Sequence, residues 1–298
     1  MAAELRAQSP VMVWWLAARP RTLVAAVVPV LVGTALAFTE GRENLWAALA
    51  ALMGAFFIQI GTNLVNDVVD FKKGADTAER LGPMRVTQAG LLSPGKVAAG
   101  AVVAFGLAVA CGLYLTSLVG WPLLLVGVVS ILCGIAYTAG PYPLAYRGLG
   151  DLFVFVFFGV VATLGTYWVE TLALAWTPVA ASVPVGLLAM GLLVVNNLRD
   201  IEGDARVNKR TLAVRLGRRG TIAQYRALLA IAYLSLPVLW GAFGLSPFVL
   251  LPLVSLVLAV PLWRDIGVLS GAELNGVLAR TARLQLVFGA LLALGVVL

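Results

Sequence analysis

Apolar residues run along this chain in blocks of about 18–25, the length that crosses a bilayer core. The blocks fall near 22–39, 45–65, 97–116, 119–138, 151–168, 172–196, 221–243, 246–263 and 277–298. Together they predict about nine transmembrane helices. The connections at 116–119 and 243–246 are the shortest. Polar residues gather in the longer connections near 66–96, 138–150 and 197–220. The expected fold class is therefore all-α, one polytopic bundle spanning residues 1–298.

Composition strengthens this reading. The 298 residues are 61% hydrophobic and 12% charged, with a mean hydropathy of +0.98. Soluble domains average about 45–50% apolar and about 25% charged, so the surplus apolar surface needs lipid around it. The alternative is one very large soluble core. The opening "MAAELRAQSPVMVWWLAARPRT" is too charged, and its apolar stretch too short, to read as a secretory signal. Lys and Arg collect at the N-terminus and after the second, fourth, sixth and eighth blocks, whereas the opposite connections hold only Arg42. The positive-inside rule then predicts a cell-membrane protein with a cytoplasmic N-terminus and an external C-terminus. The net charge of +7 marks topology first, and the same bases face any anion arriving from the cytoplasm. No basic module interleaved with aromatics points to nucleic acid. Cys111 and Cys133 lie inside apolar blocks and predict no disulfide. The absence of histidine excludes a His base and His-ligated metal.

One polar pattern occurs twice. "VNDVVD", Val65 to Asp70, closes the second block, and "VNNLRD", Val195 to Asp200, closes the sixth. Each is followed by another acid, Asp76 and Asp204. The equal direction and four-block offset suggest a parallel internal repeat. On a helix, residues three and four apart share a face. Asn63, Asn66, Asp67 and Asp70 form one stripe, and Asn196, Asn197, Asp200 and Asp204 another. Two facing acid clusters repel unless a cation lies between them. Hard oxygen donors of this kind suit Mg²⁺, which binds through a few carboxylates plus substrate phosphates. A set of solvated helix ends is the plainer reading of one such cluster. Two matched clusters at a membrane edge favour function.

The bases beside the acids fit a diphosphate. Lys72, Lys73, Arg80 and Arg85 follow the first motif; Arg206, Lys209 and Arg210 follow the second; Arg147 lies between the fourth and fifth blocks. Cations there neutralise charge that develops on a departing diphosphate. Topology alone explains any one of them equally well, and Arg218, Arg219, Arg226, Arg264, Arg280 and Arg283 are assigned to it. No Walker-type phosphate loop is present, which disfavours an NTP-driven pump.

"NDVVDFKKGAD" with "NNLRDIEGDARVNKRTLAVRLG" resembles the paired aspartate motifs of the UbiA superfamily of intramembrane prenyltransferases. "AARPRTLVAAVVPVLVGTALA", "RLGPMRVTQAGLLSP" and "YTAGPYPLAYRGLGDLFVFVFFGVVATLGTYWV" are similar to one branch, the 1,4-dihydroxy-2-naphthoate polyprenyltransferases of menaquinone synthesis. The resemblance covers nearly the whole chain. It implies a bundle around a central cavity, open sideways to membrane lipid and capped by the cytoplasmic connections. It also implies an Mg²⁺-dependent transfer of a polyprenyl group from polyprenyl diphosphate to 1,4-dihydroxy-2-naphthoate, with loss of CO₂ and formation of demethylmenaquinol.

On this basis Asn66, Asp67, Asp70, Asp76, Asp200 and Asp204 are expected to hold metal, and Asp67, Asp70, Asp200 and Asp204 to be catalytic. Asn66, Asn197, Lys73, Arg80, Arg85, Arg147, Tyr146 and Lys209 are expected to bind substrate. One departure stands out: the family places an acid four residues after Asp70, where this chain has Gly74. Tyr137, Tyr142, Tyr146 and Tyr167 either face a carbocation or simply pack at the interface. Arg19 and Arg21 either meet the acceptor carboxylate or anchor the chain; Asp67 is one candidate base. Two alternatives remain open at this stage: another aromatic acceptor such as 4-hydroxybenzoate, or a secondary transporter. The 71–96 connection, with Gly74, Gly82, Pro83 and Gly90, reads as a lid or as ordinary turns.

Overall fold

The computed structural model describes residues 9–74 and 81–298, with the side chain of Arg21 left out. Asp76 and Arg80, both expected at the site, lie outside the described residues, as does the Arg21 side chain. All regular structure among the described residues is helical. A short helix α1 (Pro10–Ala18) precedes α2 (Pro20–Thr39), α3 (Leu45–Lys72), α4 (Pro94–Val119) and α5 (Trp121–Ala136). Then come α6 (Gly150–Thr171), α7 (Trp176–Arg199), α8 (Ile201–Arg206), α9 (Leu212–Gly241), α10 (Pro247–Val268) and α11 (Leu274–Val297). Among the described residues, eight helices are long and apolar enough to span a membrane, and α5, with 16 residues, is the ninth apolar one. At 1.5 Å per residue α5 covers only about 24 Å, short of a hydrocarbon core of roughly 30 Å.

Local sequence fixes the ends. Ser9, Asn44, Ser93 and Thr211 cap α1, α3, α4 and α9 by accepting from backbone N–H groups two or three residues inside each helix. Pro10, Pro20 and Pro94 occupy first-turn positions, where a missing N–H costs nothing. Several helices outrun the apolar blocks. α3 continues past residue 65 to Lys72, α7 past 196 to Arg199, and α9 begins at Leu212, with a kink at Gly217 (φ 67°), rather than at 221. Hydropathy marks where the membrane ends; the backbone ladder goes on wherever polar side chains find partners.

Packing is uneven. One cluster joins α2, α7, α9, α10 and α11, with Leu188, Tyr225, Leu236, Leu262, Leu284 and Phe288 fully buried. Small residues bring backbones close. A Cβ on Gly159 would stand 2.8 Å from Gly186 Cα, and one on Gly33 2.6 Å from the Thr163 carbonyl. This is the small-residue contact that membrane helices use. Residues 156–161 of α6 widen into a π-turn at the same crossing. By contrast the apolar windows of α3 and α4 are 11% and 17% buried, against 67% for α7. α3 and α4 form a thin wall with lipid on one side and a cavity on the other. Exposed Trp46, Trp121, Trp176 and Trp240 mark one membrane face, and Trp14, Trp15 and Trp263 the other, as two aromatic belts. The protein is a multi-pass membrane protein.

Candidate active site

A cavity of about 800 Å³ runs between α2, α3, α4, α5, α6 and α7. Its inner part is apolar, lined by Ala26, Val30, Ile58, Leu115, Leu123 and Val169. Its charged groups sit at one end with Tyr137: Arg19, Asp70, Arg85, Asp151, Asp200 and Lys209. Val109, Leu124 and Val128 line the cavity and are also exposed, so its wall opens sideways towards lipid.

The first acidic motif is helical throughout. Asp70 is buried; its Oδ2 accepts from Arg85 Nη2 at 3.0 Å and its Oδ1 from the Tyr146 hydroxyl at 3.0 Å. Asn66 Oδ1 accepts from the Thr138 hydroxyl at 2.7 Å. Asn63 donates to the Ala18 carbonyl and to Thr22, fixing the α1–α2 junction. Lys73 donates to the Thr138 carbonyl at 2.8 Å and lies 4.4 Å from the Tyr146 ring centre; Lys209 lies 5.6 Å from the same ring.

Asp67 departs from expectation. It is buried, but it does not line the cavity. Its two oxygens accept from the backbone N–H groups of Val86 and Thr87, each at 3.2 Å. A helix rotates about 100° per residue, so Asp67 lies about 100° round from Asn66, at the edge of the stripe that Asn66 and Asp70 turn to the cavity. It clamps the 81–93 loop and so presents Arg85 to Asp70.

The second motif breaks its helix. α7 ends at Arg199, Asp200 sits at φ −95°, ψ 7°, and α8 starts at Ile201. Arg199, which was not among the expected site residues, is 3% exposed and sits at the centre. Its Nε and Nη2 hold the two oxygens of Asp200 at 2.8 and 2.6 Å, a bidentate fork. It also reaches Asn196 at 2.7 Å and Asn275 at 2.9 Å. Asn275 in turn donates to the Leu81 carbonyl at 2.8 Å. A missing signal explains the oversight: an arginine one residue before an aspartate looks like any cytoplasmic base until the helix end folds it back. Asn197 is buried and lines the cavity.

Asp204 is buried next to Lys209, whose Nζ lies 3.2 Å from Oδ1, while Oδ2 has no hydrogen-bond partner. Burial holds its carboxyl above the usual carboxylate range; the charges of Asp200 and Asp70 push the same way, and Lys209 opposes them. The two motifs therefore face one another across the cavity head. Tyr137 is pushed up too, by burial first and then by Asp151, Asp204 and Asp70, and so stays a hydrogen-bond donor. Arg147 is not brought in: it stacks 4.7 Å from the Tyr142 ring, outside the cavity lining. Tyr167 lies at the opposite membrane face, where its hydroxyl donates to Glu40.

Asp151 was not singled out by sequence reasoning. It lines the cavity at the first turn of α6, buried, with Oδ1 accepting from Gln224 at 2.8 Å. A lone acid inside a strongly apolar block was the available signal.

The UbiA prenyltransferase family matches residues 26–293. The chain is 43% identical over 219 residues to the 1,4-dihydroxy-2-naphthoate octaprenyltransferase of Mycobacterium tuberculosis, covering 74% of this chain and 75% of that one. It is 33% identical over 286 residues to the Bacillus subtilis protein of the same name, covering 95% and 92%. In fold it is similar to a UbiA homolog from Aeropyrum pernix K1, with a TM-score of 0.68 at 17% identity over 92% of this chain and 96% of that one. A UbiA homolog from Archaeoglobus fulgidus bound to DMAPP and Mg²⁺ gives 0.62 at 14% identity, over 94% and 98%.

Proposed function

The chain belongs to the UbiA prenyltransferase family, and from that premise we propose that it transfers a polyprenyl group from polyprenyl diphosphate to 1,4-dihydroxy-2-naphthoate. The ring carboxylate leaves as CO₂ and the product is demethylmenaquinol. The observation that carries this reading is the cavity itself: two acidic motifs and their bases at one end, an apolar channel behind them, and a side opening to lipid. That shape fits a charged head on a long hydrocarbon tail. A transporter is expected to carry its charged groups near the midplane; here they gather at one end.

Magnesium fits the donor set. The head offers only hard oxygen ligands, and Asp204 keeps a buried oxygen without a partner. Mg²⁺ usually binds through one or two carboxylates plus substrate phosphates. Asn66 and Asp70 would hold it from one motif, and Asp200 and Asp204 from the other. Bound there, the ion supplies positive charge to the diphosphate as the allylic C–O bond loosens.

The chain's own residues do the rest. Arg85, Lys73 and Lys209 neutralise the departing diphosphate from fixed positions, so little reorganisation accompanies bond breaking. Arg199 holds Asp200 in one orientation. Tyr137 keeps its proton and offers a hydroxyl at the cavity head. The apolar lining excludes water, which otherwise quenches a prenyl cation. The positive-inside pattern supports a cytoplasmic N-terminus and, with it, a cavity head at the cytoplasmic edge.

The test uses the purified protein in nanodiscs with Mg²⁺, a polyprenyl diphosphate and dihydroxynaphthoate. Prenylated product and CO₂ are expected, and both vanish with EDTA. Product from 4-hydroxybenzoate alone moves the protein to another acceptor class. No product from any acceptor sinks the enzyme reading.

A further inference from the structure

One acid at the cavity has no part in the scheme above. Asp151 sits in the first turn of α6 and is 4% exposed. Among the described residues it has no ion pair. Gln224, from α9, donates to Oδ1 at 2.8 Å and fixes the carboxylate. Oδ2 is buried and has no hydrogen-bond partner. Asp151 belongs to the cavity lining together with Asp70 and Asp200. The titratable group facing it is Tyr137, whose hydroxyl lies 2.9 Å from where a Gly150 Cβ would stand.

A carboxylate kept only for structure would satisfy both oxygens, because a buried unpaired acceptor is costly. One oxygen held and the other left without a partner, on a residue of the cavity lining, is instead the arrangement of an oriented base. Asp151 belongs to neither acidic motif.

We propose that Asp151 is the catalytic base for the aromatic acceptor, taking the proton of the ring hydroxyl on its Oδ2; this rests on the prenyl-transfer reading above. The electron pair of the carboxylate-bearing ring carbon forms the bond to C1 of the prenyl chain. The C1–O bond breaks and its pair leaves with the diphosphate. The proton of the neighbouring ring hydroxyl passes to Asp151, which leaves a ketone β to the carboxylate. The carboxylate departs as CO₂, and its bonding pair restores the ring as an enolate. Asp151 returns its proton to that oxygen. The base is regenerated, and no outside oxidant or co-reactant is needed. Gln224 is a positioning residue for it.

The test compares the full-length protein with Asp151→Asn in nanodiscs, with Mg²⁺, polyprenyl diphosphate and dihydroxynaphthoate, between pH 6 and 9. Removing a general base is expected to slow turnover at least about 100-fold at neutral pH. Binding of the prenyl diphosphate, titrated separately, is expected to stay within about twofold. The variant's rate should climb about tenfold per pH unit as more acceptor arrives already ionised, while the parent stays flatter. A second measurement needs no variant: an acceptor whose hydroxyl beside the carboxylate is methylated has no proton to give. It should react with the parent protein as slowly as dihydroxynaphthoate does with Asp151→Asn, and the two changes together should cost no more than either alone. A variant with the parent's rate overturns the proposal. So does a loss that is flat with pH and accompanied by lost diphosphate binding, and so does a methylated acceptor that the parent turns over normally. A parent protein that binds the diphosphate but prenylates no acceptor overturns the functional reading beneath it, which is a separate result.

Discussion

In the first acidic motif the helix runs unbroken through Asn66, Asp67 and Asp70 to Lys72, whereas in the second it stops at Arg199 and restarts at Ile201. The unbroken helix sends neighbouring acids in different directions. Asp70 meets the cavity, and Asp67 meets the backbone of a loop. The broken helix does the opposite. It folds Arg199 back onto Asp200 and lets Asn196, Asn197 and Asp200 all line one cavity wall. A repeated string of residue types therefore does not repeat its roles. The 81–93 loop belongs to both motifs, through Val86 and Thr87 to Asp67, Arg85 to Asp70, and Leu81 to Asn275 beside Arg199.

The largest effect should come from the residue each motif places at the cavity head. Asp70→Ala and Asp200→Ala are each expected to lower kcat by roughly 10³-fold, the scale of losing a fixed charge contact at a reacting centre. Single-turnover kinetics with saturating Mg²⁺ checks this. If only one of the two collapses, the motifs do not share the diphosphate.

Arg199→Ala should come next, because it frees the Asp200 carboxylate and strands Asn196 and Asn275. An outer-shell partner of this kind costs about 10–100-fold in activity or metal affinity. Arg199→Lys keeps the charge but loses the fork, so it should recover little. Mg²⁺ titration of both variants separates the two losses: a half-maximal concentration that rises for Arg199→Ala and stays raised for Arg199→Lys supports the bidentate role.

How much of this was legible beforehand follows residue type. The helices were, because apolar blocks of bilayer length have only one use. The acids Asp70 and Asp200 were, because charged groups at a membrane edge need a reason. The direction of Asp67 was not: its neighbour Asn66 faces the cavity, and one residue along a helix turns a side chain by about 100°. Nor was Arg199, whose value depends on Asp200 folding back across a helix end. Asp151 was visible as an acid in an apolar run, but its unpartnered oxygen is set only once Gln224, some seventy positions away, has taken the other.

Asp67 gives a milder test. Asp67→Ala strands two buried N–H groups, a penalty of about 1–3 kcal/mol for each. The loop loosens, so KM for the diphosphate should rise about tenfold while the Mg²⁺ concentration for half-maximal rate stays put. Asp67→Asn keeps one acceptor and should fall between. An Mg²⁺ requirement that rises along with KM returns Asp67 to the metal ligands.

The smallest effect probes the seam between the two motifs. Gly82 lies against Arg199, and a Cβ there would stand 2.5 Å from Nη2. The end of an arginine usually moves aside, but this one is held by Asp200, Asn196 and Asn275 at once. Either the guanidinium shifts and disturbs the second motif, or the loop lifts and disturbs the first. Gly82→Ala is therefore expected to cost a few-fold in kcat/KM, with overpacking of about 1–3 kcal/mol behind it. The kinetic parameters say which side yields. A raised KM for diphosphate with unchanged Mg²⁺ dependence matches Asp67→Ala and means the loop lifted. A raised Mg²⁺ requirement matches Arg199→Ala and means the fork gave way. Gly82→Ala on top of Asp67→Ala should then add nothing in the first case and its full cost in the second, because residues that share one moving part do not add.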